Sequence, residues 1–376
     1  MKVIMTCAGT GGHINPAIAI ANLIKEKYPD TEFLFIGTKE GMENDLVKNA
    51  GYEIKSVRTG KLLRQFTLKN VSAVADAIKG ISDAKKIMKE FKPDLVIGTG
   101  GYICVTVMKA AASLKIRYIL HESNAFPGLA VKLTAKKAYR VMLGFEDAKT
   151  RLNSKDNIVV TGNISKINKE KYIALDKENC KKELGLDKVN KKIVLVTFGS
   201  QGAKYLNEYI LELAKKQNEK IFYVLIAGKN NYDEVITKVK SIEKEENVNL
   251  NNYLKVEKFV YDMDKMYKVA DLCITRAGAM TINELEIVKV PAILIPLPTA
   301  AENHQYYNAK VLEKVGASSI IEQKDLTAEK LNSKVLEMLT PIVQKRGINS
   351  YDKLEENKVE EKILNEIRIF REAYLK

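Results

Sequence analysis

Short runs of β-branched and aliphatic residues, each followed by a longer amphipathic segment, recur along this chain to about position 340. That alternation is the pattern of βαβ units, and βαβ units assemble into parallel sheets. The spacing predicts strands over residues 2–7, 32–37, 52–57, 94–98, 117–121, 139–143 and 157–161, with helices over 15–27, 42–50 and 68–90. The rhythm restarts after a polar, Lys-rich stretch at 166–187. Strands over 192–198, 221–227, 253–259, 272–275 and 292–296 then alternate with helices, the first of them over 203–217. A charged amphipathic helix over 351–374 is expected to fold back across the first half. With 376 residues the chain is too long for one ordinary core and suits two α/β domains. Two such halves place a ligand in the cleft between strand carboxyl ends.

Composition narrows the function classes. Hydrophobic residues at 46% and charged residues at 29% belong to a soluble globular protein. Lys+Arg 61 against Asp+Glu 47 leaves +14, which favours nucleic acid, acidic lipid or phosphorylated substrates, although a solvated lysine surface accounts for it as well. Cys7, Cys104, Cys180 and Cys273 are scattered, without a CxxC pair, which argues against a disulfide framework or a zinc site and for a reducing compartment. The apolar run from Val3 to Ala8 reaches Gly9 too soon for a signal peptide, and no uncharged stretch is long enough to span a bilayer. Membrane contact, where it matters, is expected at the surface.

Three loops carry anion-binding chemistry. Ala8-Gly9-Thr10-Gly11-Gly12-His13 joins the first strand to the first helix, so its glycines let backbone approach an anion at a helix N-terminus. It does not match G-x-G-x-x-G, and Gly37-Thr38-Lys39 provides no acid after the second strand, which disfavours a dinucleotide. His13 reads either as a helix-capping histidine or as a catalytic one. Phe198-Gly199-Ser200-Gln201-Gly202-Ala203 repeats the same physics in the second half, with the Ser200 hydroxyl expected at a phosphate. In the segment from Thr275 to Glu284, Gly278 and Ala279 open another helix. Glu284, just inside it, is either a ribose acceptor or a first-turn acid complementing the helix dipole.

Polar amides crowd two further strand ends, at Asn303, Gln305 and Asn308 and at Asn124, and suit sugar hydroxyls unless they only satisfy their own turns. Asp262-Met263-Asp264 has D-x-D spacing, but at a helix start its aspartates are expected to cap free N–H groups, and no metal is predicted. Between Lys55 and Lys69, the cations Arg58, Lys61 and Arg64 interleave with Leu62, Leu63, Phe66 and Leu68. That mixture suits an anionic membrane surface or a solvated loop; single-stranded nucleic acid would require more aromatics.

Taken together, residues 9–16, 100–102, 121–128, 162–163, 199–203, 276–284 and 305–309 resemble the MurG family, over most of the chain up to about Gly316. Those are bacterial transferases that add N-acetylglucosamine to lipid I to give lipid II for peptidoglycan. The resemblance implies a GT-B fold of two Rossmann-like domains facing a cleft. It implies an acceptor and membrane-facing domain at 1–163, a UDP-sugar domain at 164–345, and a C-terminal helix at 346–376 packed back on the first. It implies UDP-GlcNAc contacts at Thr10, Gly11, Gly12, Asn124, Lys166, Ser200, Ala279, Met280, Thr281, Ile282, Asn283, Glu284 and Gln305, with the backbone of Val260 meeting uracil. Partners implied are UDP-GlcNAc, lipid I and the anionic inner membrane surface, with no nucleic acid and no cofactor, and a peripheral location on the cytoplasmic face. The chain departs from the family where Ile164-Ser165-Lys166 replaces proline and arginine, so a bidentate fork becomes a point charge. Cys104 and Thr106 after Gly100-Gly101-Tyr102, and Ser123 where glutamine is common, are further departures.

The expected chemistry is an inverting displacement by the acceptor C4 hydroxyl, with His13 as candidate base and helix N-termini meeting charge on the β-phosphate. Rival readings are a GT-B transferase for another lipid, a UDP-GlcNAc 2-epimerase, and a non-catalytic UDP-sugar-binding subunit.

Overall fold

The computed structural model describes residues 1–59, 68–153, 156–199, 202–354 and 358–375; side chains in the third helix are described from residue 76, and that of Lys353 is not described. The chain divides into two compact units, Met1–Ile164 with Glu356–Lys376, and Ser165–Glu355.

Unit 1 runs β1 (Lys2–Thr6), α1 (Gly11–Lys27), β2 (Glu32–Gly37), α2 (Glu43–Asn49), β3 (Ile54–Ser56), α3 (Leu68–Phe91), β4 (Leu95–Gly98), α4 (Ile103–Ser113), β5 (Tyr118–Glu122), α5 (Leu129–Thr134), β6 (Arg140–Leu143) and β7 (Ile158–Val160). Among the described residues these strands form one parallel seven-stranded sheet, order β3-β2-β1-β4-β5-β6-β7, with Thr6 opposite both Ile36 and Gly98. β4 and β5 are buried along their whole length, as strands covered on both faces are.

Unit 2 runs α6 (Lys169–Ala174), α7 (Lys177–Glu183), β8 (Lys192–Thr197), α8 (Lys204–Lys215), β9 (Ile221–Ile226), α9 (Tyr232–Glu246), β10 (Leu254–Glu257), α10 (Met263–Val269), β11 (Leu272–Thr275), α11 (Ala279–Val288), β12 (Ala292–Leu294), α12 (His304–Val315), β13 (Ser318–Ile320), α13 (Ala328–Met338) and α14 (Pro341–Ser350). Its six parallel strands are ordered β10-β9-β8-β11-β12-β13. Leu206, Ile210 and Leu213 recur at helical spacing along α8 and bury themselves against Val194, Val196 and Leu225 of the sheet.

The observed elements differ from the sequence expectation in several places, among them the short helices α5 and α14, which were not expected. α4 and β13 were not expected: α4 is apolar or small nearly all round and so shows no stripe, and β13 is only three residues long. α1 starts at Gly11 rather than 15, because the helix continues through Pro16, which leaves the Gly12 carbonyl without its amide partner. The last helix, α15 (Val359–Tyr374), starts well after 351.

α15 belongs to unit 1, where Ile363, Ile367 and Phe370 share a core with Ile14, Ile20 and Ile24 of α1. Cations and rings fasten it further. The Arg140 guanidinium donates to Glu366 at 2.8 Å, Arg117 lies 3.5 Å above the Tyr374 ring, and Arg371 lies 4.2 Å above Tyr28. Phe370 meets Tyr139 edge-on, with centroids 5.6 Å apart. Phe370→Ala removes a fully buried ring and should cost about 3–5 kcal/mol of unit 1 stability, read as a shifted urea midpoint; a change under about 1 kcal/mol would show that α15 is only loosely attached.

Candidate functional site

In unit 1 the chain fills β1, β2 and β3 in one direction, then returns past β1 to begin β4 on its other side. Such a reversal opens a crevice at the strand carboxyl ends. The two loops there interlock through glycine. Gly9, Gly100 and Gly101 have φ of +101°, +119° and +83°, and a Cβ on Gly101 would stand 2.3 Å from the Ala8 carbonyl oxygen. A Cβ on Gly100 would stand 2.4 Å from His13 Nδ1, so the imidazole rests on bare backbone.

His13 is not a helix cap. Thr10 holds that position in extended conformation and makes no side-chain capping bond. The N–H groups of Gly11 and Gly12 therefore lack intrahelical acceptors, while His13 N binds the Thr10 carbonyl at 3.0 Å. Thr99 Oγ1 donates to the His13 carbonyl oxygen at 2.6 Å. Burial lowers the His13 pKa below its ordinary 6.5, opposed in part by a hydrogen bond to the Thr99 backbone. The ring is thus neutral at physiological pH and able to accept a proton. Cys104, one of the departures from the family pattern, turns its thiol back on this loop, 3.0 Å from the Gly100 carbonyl and 3.3 Å from its N–H. Burial pushes that thiol up to about 12, so it acts as an inert support.

Asn124 follows β5. Its backbone N–H and Nδ2 both donate to Glu122 Oε1, at 2.9 and 3.0 Å, and Gly128 N donates to Oε2 at 2.7 Å. Glu122 is 4% exposed and folds the whole loop around itself. Sequence reasoning gave it no role, because neither residue type nor spacing reveals three bonds to one carboxylate. Below it, fully buried His121 is 3.3 Å from the Gly162 carbonyl oxygen through Nε2 and 3.4 Å from Ser123 Oγ through Nδ1, and Asn163 Nδ2 donates to the Ser123 carbonyl at 3.0 Å.

Unit 2 reverses in the same way between β8 and β11. Gly199 and Gly202 have φ of +85° and +70°, and a Cβ on Gly202 would stand 2.0 Å from the Ala227 carbonyl oxygen. Ser200 and Gln201 lie outside the described residues. α11 starts on Gly278 without a side-chain cap, so Ala279, Met280 and Thr281 have first-turn N–H groups with no intrahelical acceptor. Ile282 is fully buried and can offer a ligand nothing but backbone, and the Asn283 side chain is buried too. Glu284 sits in the second turn, so the first-turn dipole reading does not hold. Its Oε2 accepts from Tyr267 Oη at 2.9 Å; burial raises its pKa, opposed by that bond and by the charge of Lys166. Lys166, far away in sequence, is therefore close enough for its charge to act on Glu284.

Gln305 Oε1 accepts from Leu297 N at 2.9 Å, which fixes its amide at the end of β12. Val260 lies half-buried in the loop after β10. Asp262 occupies the first position before α10 but makes no capping bond; it pairs with Lys265 Nζ at 3.2 Å instead, and Asp264 Oδ1 accepts from Lys265 N. Arg276 bridges β11 to β12 by donating to the Ile295 and Pro296 carbonyls at 3.1 Å, and burial lowers its pKa to about 10. In the basic segment, Lys55 pairs with Glu90 and Arg58 with Asp83 at the surface. Lys61, Leu62, Leu63, Arg64 and Phe66 lie outside the described residues, and the side chains of Leu68 and Lys69 are not described. A cavity of about 750 Å³ bordered by Lys191, Phe222 and Tyr253 lies at the amino ends of β8–β10, on the opposite rim from these loops.

Helix starts differ in charge between the reversals and one flank of each sheet. α1, α4, α8 and α11 follow the strands flanking the two reversals, and none has a side-chain cap or an acid in its first turn. α2 and α9, which follow the neighbouring strands β2 and β9, carry Glu43 and Asp45, and Asp233 and Glu234, whereas α5 and α12, after β5 and β12 on the other side, carry no acid in the first turn. Away from these rims, α7 and α13 are capped by Asp176 and Thr327. Each sheet thus keeps uncompensated N–H groups at its own reversal, ready for an anion.

Two parallel-sheet α/β units with these loops are the architecture of a GT-B glycosyltransferase. The chain belongs to glycosyltransferase family 28: residues 3–143 match its N-terminal domain and residues 193–363 its C-terminal domain. A protein of Thermoanaerobacter sp. (strain X514), named UDP-N-acetylglucosamine–N-acetylmuramyl-(pentapeptide) pyrophosphoryl-undecaprenol N-acetylglucosamine transferase, is 39% identical over 98% of this chain and 99% of its own length. The crystal structure of Acinetobacter baumannii MurG superposes with a TM-score of 0.77 at 27% identity, covering 98% of this chain and 99% of that one. A UDP-GlcNAc 2-epimerase from Neisseria meningitidis, with a TM-score of 0.64 at 15% identity over 97% of this chain and 99% of that one, shares the fold alone.

Burial lowers the His121 pKa from 6.5 to about 4, opposed by the hydrogen bond to Gly162. Below 6.5 the unfolded histidine gains a proton that the folded one refuses, so stability should be flat above about pH 6.5 and fall towards pH 4, by about 3 kcal/mol in all. Urea unfolding across that range, wild type against His121→Asn, measures it; an identical acid slope in the variant would assign the loss elsewhere.

Proposed function

We propose that this chain transfers N-acetylglucosamine from UDP-GlcNAc to the C4 hydroxyl of the N-acetylmuramyl residue of lipid I, giving lipid II. What the 39% identical relative is named for supports the reaction, and the acid-free helix starts at both strand reversals carry the physical case. In this reading residues 1–163 receive the acceptor and residues 164–345 hold the donor; of the tail expected from 346 to pack on the first half, only the part from 356, with α15, belongs to unit 1, while 346–355 stay with unit 2. The acceptor oxygen bonds to the anomeric carbon as the bond from that carbon to the β-phosphate oxygen breaks. The hydroxyl proton passes to His13, whose neutral ring is the base. Charge growing on UDP meets the N–H groups of Gly11 and Gly12, of Ala279–Thr281, and of the loop containing Ser200. Glu284 takes the ribose hydroxyls, Lys166 lies near it as a point charge, and Asn124 and Gln305 supply amides to the sugar. Val260 meets uracil through its backbone.

The deciding assay combines purified protein, UDP-GlcNAc and a short-chain lipid I analogue, with EDTA present. Disaccharide product is expected; release of free N-acetylmannosamine without acceptor would overturn the reading in favour of an epimerase. His13→Ala should lower kcat about 100-fold or more with little change in donor affinity, and the acid limb of kcat/KM should lie below 6.5, the ordinary histidine value. Glu284→Ala should weaken UDP-GlcNAc binding about tenfold; unchanged donor affinity would remove Glu284 from the ribose.

The acceptor is a lipid, and the helical layer of unit 1 offers a surface for it. Leu129 and Leu133 on α5 are 59% and 60% exposed, with the exposed Lys132, Lys136 and Lys137 next to them along the chain. Apolar side chains rimmed by lysines favour an anionic bilayer surface. Among the described residues, no helix is long and apolar enough to cross a membrane. Replacing Leu129 and Leu133 together by Asp should reduce sedimentation with anionic vesicles several-fold; equal binding would move the contact to another face.

A further inference from the structure

We infer that Tyr261 is the ring on which the donor's nucleobase stacks, and so a determinant of nucleotide affinity. The inference rests on the UDP-sugar reading of unit 2 and adds to it a residue that neither the loops nor the helix starts identified.

Position makes the case. β10 is the outer strand of its sheet, while the next strand, β11, lies beyond β8. The chain leaving β10 must therefore run back across the carboxyl ends of β9 and β8, and α10, which it enters, packs against β8. Residues 258–262 make that crossing. Tyr261 is 86% exposed, the most exposed large apolar side chain among the described residues, and stands on the same rim as the loop of Gly199 and Gly202 and the start of α11. The topology thus carries an aromatic ring towards the strand reversal, where a ligand of an open parallel sheet lies.

The ring is also braced. Phe259, half-buried in the same loop, meets Tyr261 edge-on with centroids 4.8 Å apart and planes at 70°. Lys229, from the loop after β9, holds its ammonium 4.7 Å from the Phe259 centroid. The contact limits where Tyr261 can swing, its 86% exposure leaves ring surface open to a ligand, and Lys229 places positive charge on the neighbouring Phe259 ring. An open aromatic face next to a cation fits a planar heterocycle carrying phosphate. Sugar hydroxyls would want the amides and carboxylate placed elsewhere on this rim.

The chain contains no tryptophan, so Tyr261→Trp installs a lone fluorophore at the point in question. UDP added to the full-length variant should quench its emission, with a midpoint equal to the Kd from calorimetry. Tyr261→Ala should bind UDP roughly tenfold more weakly and raise KM for UDP-GlcNAc by a similar factor, with kcat at saturation near wild type. Tyr261→Phe should match wild type, since stacking uses the ring and not the hydroxyl. Unaltered emission at saturating UDP, or an alanine variant with full UDP affinity, overturns the role of Tyr261 and leaves the donor reading standing. A wild-type chain that fails to bind UDP in the calorimeter overturns the donor reading itself, and the inference with it.

Discussion

Backbone laid directly on backbone at the carboxyl rim of each sheet is the contact on which the rest of this structure depends. In unit 1, Gly101 sits against the Ala8 carbonyl; in unit 2, Gly202 sits against the Ala227 carbonyl. Neither position has room for a β-carbon, and both have positive φ. With the loops held that close, the helix that follows each can aim its first N–H groups across the rim instead of at its own side chains. The same economy of space places His13 on the bare backbone of Gly100. Small residues are needed here because volume, more than chemistry, decides whether the loops can meet.

Charge follows the same plan. Helices beginning at a strand reversal leave their positive ends uncompensated, whereas α2 and α9, one strand out on one side, carry acids in the first turn. Ionisable groups behind the rim are held by burial and hydrogen bonds in fixed states. Neutral His13 and His121 and the protonated Cys104 thiol are examples, and each is set among backbone donors or acceptors suited to the state it keeps. A rim built this way can face a doubly charged ligand without reorganising when that ligand arrives.

Much of this was legible in the residues. Alternating apolar runs located every strand of both sheets except the three-residue β13, because parallel strands buried on both faces read as unbroken hydrophobic segments. The glycine loops marked the two reversals for the reason just given. What stayed hidden was of two kinds. α4 lacks a polar face, so periodicity has nothing to register. Glu122, Arg276 and the proximity of Lys166 to Glu284 depend on which loops become neighbours after folding, and that is a tertiary fact. Asp262 was misjudged for a related reason: its position suits a cap, yet Lys265 one turn later is the better partner for its charge.

The last helix returns to the first unit, filling a gap over α1 with Ile363, Ile367 and Phe370. Residues 1–164 are synthesised before α15, so the earlier-made unit waits for that helix before its core is closed. The second unit can complete itself first. During that interval the apolar side of α1 has no permanent cover, and a nascent chain stalled or cut anywhere before α15 leaves the ribosome with that surface open. Loss of the last twenty or so residues would therefore damage the half of the molecule made first, and the fragment ending near Ile164 is not a self-sufficient domain.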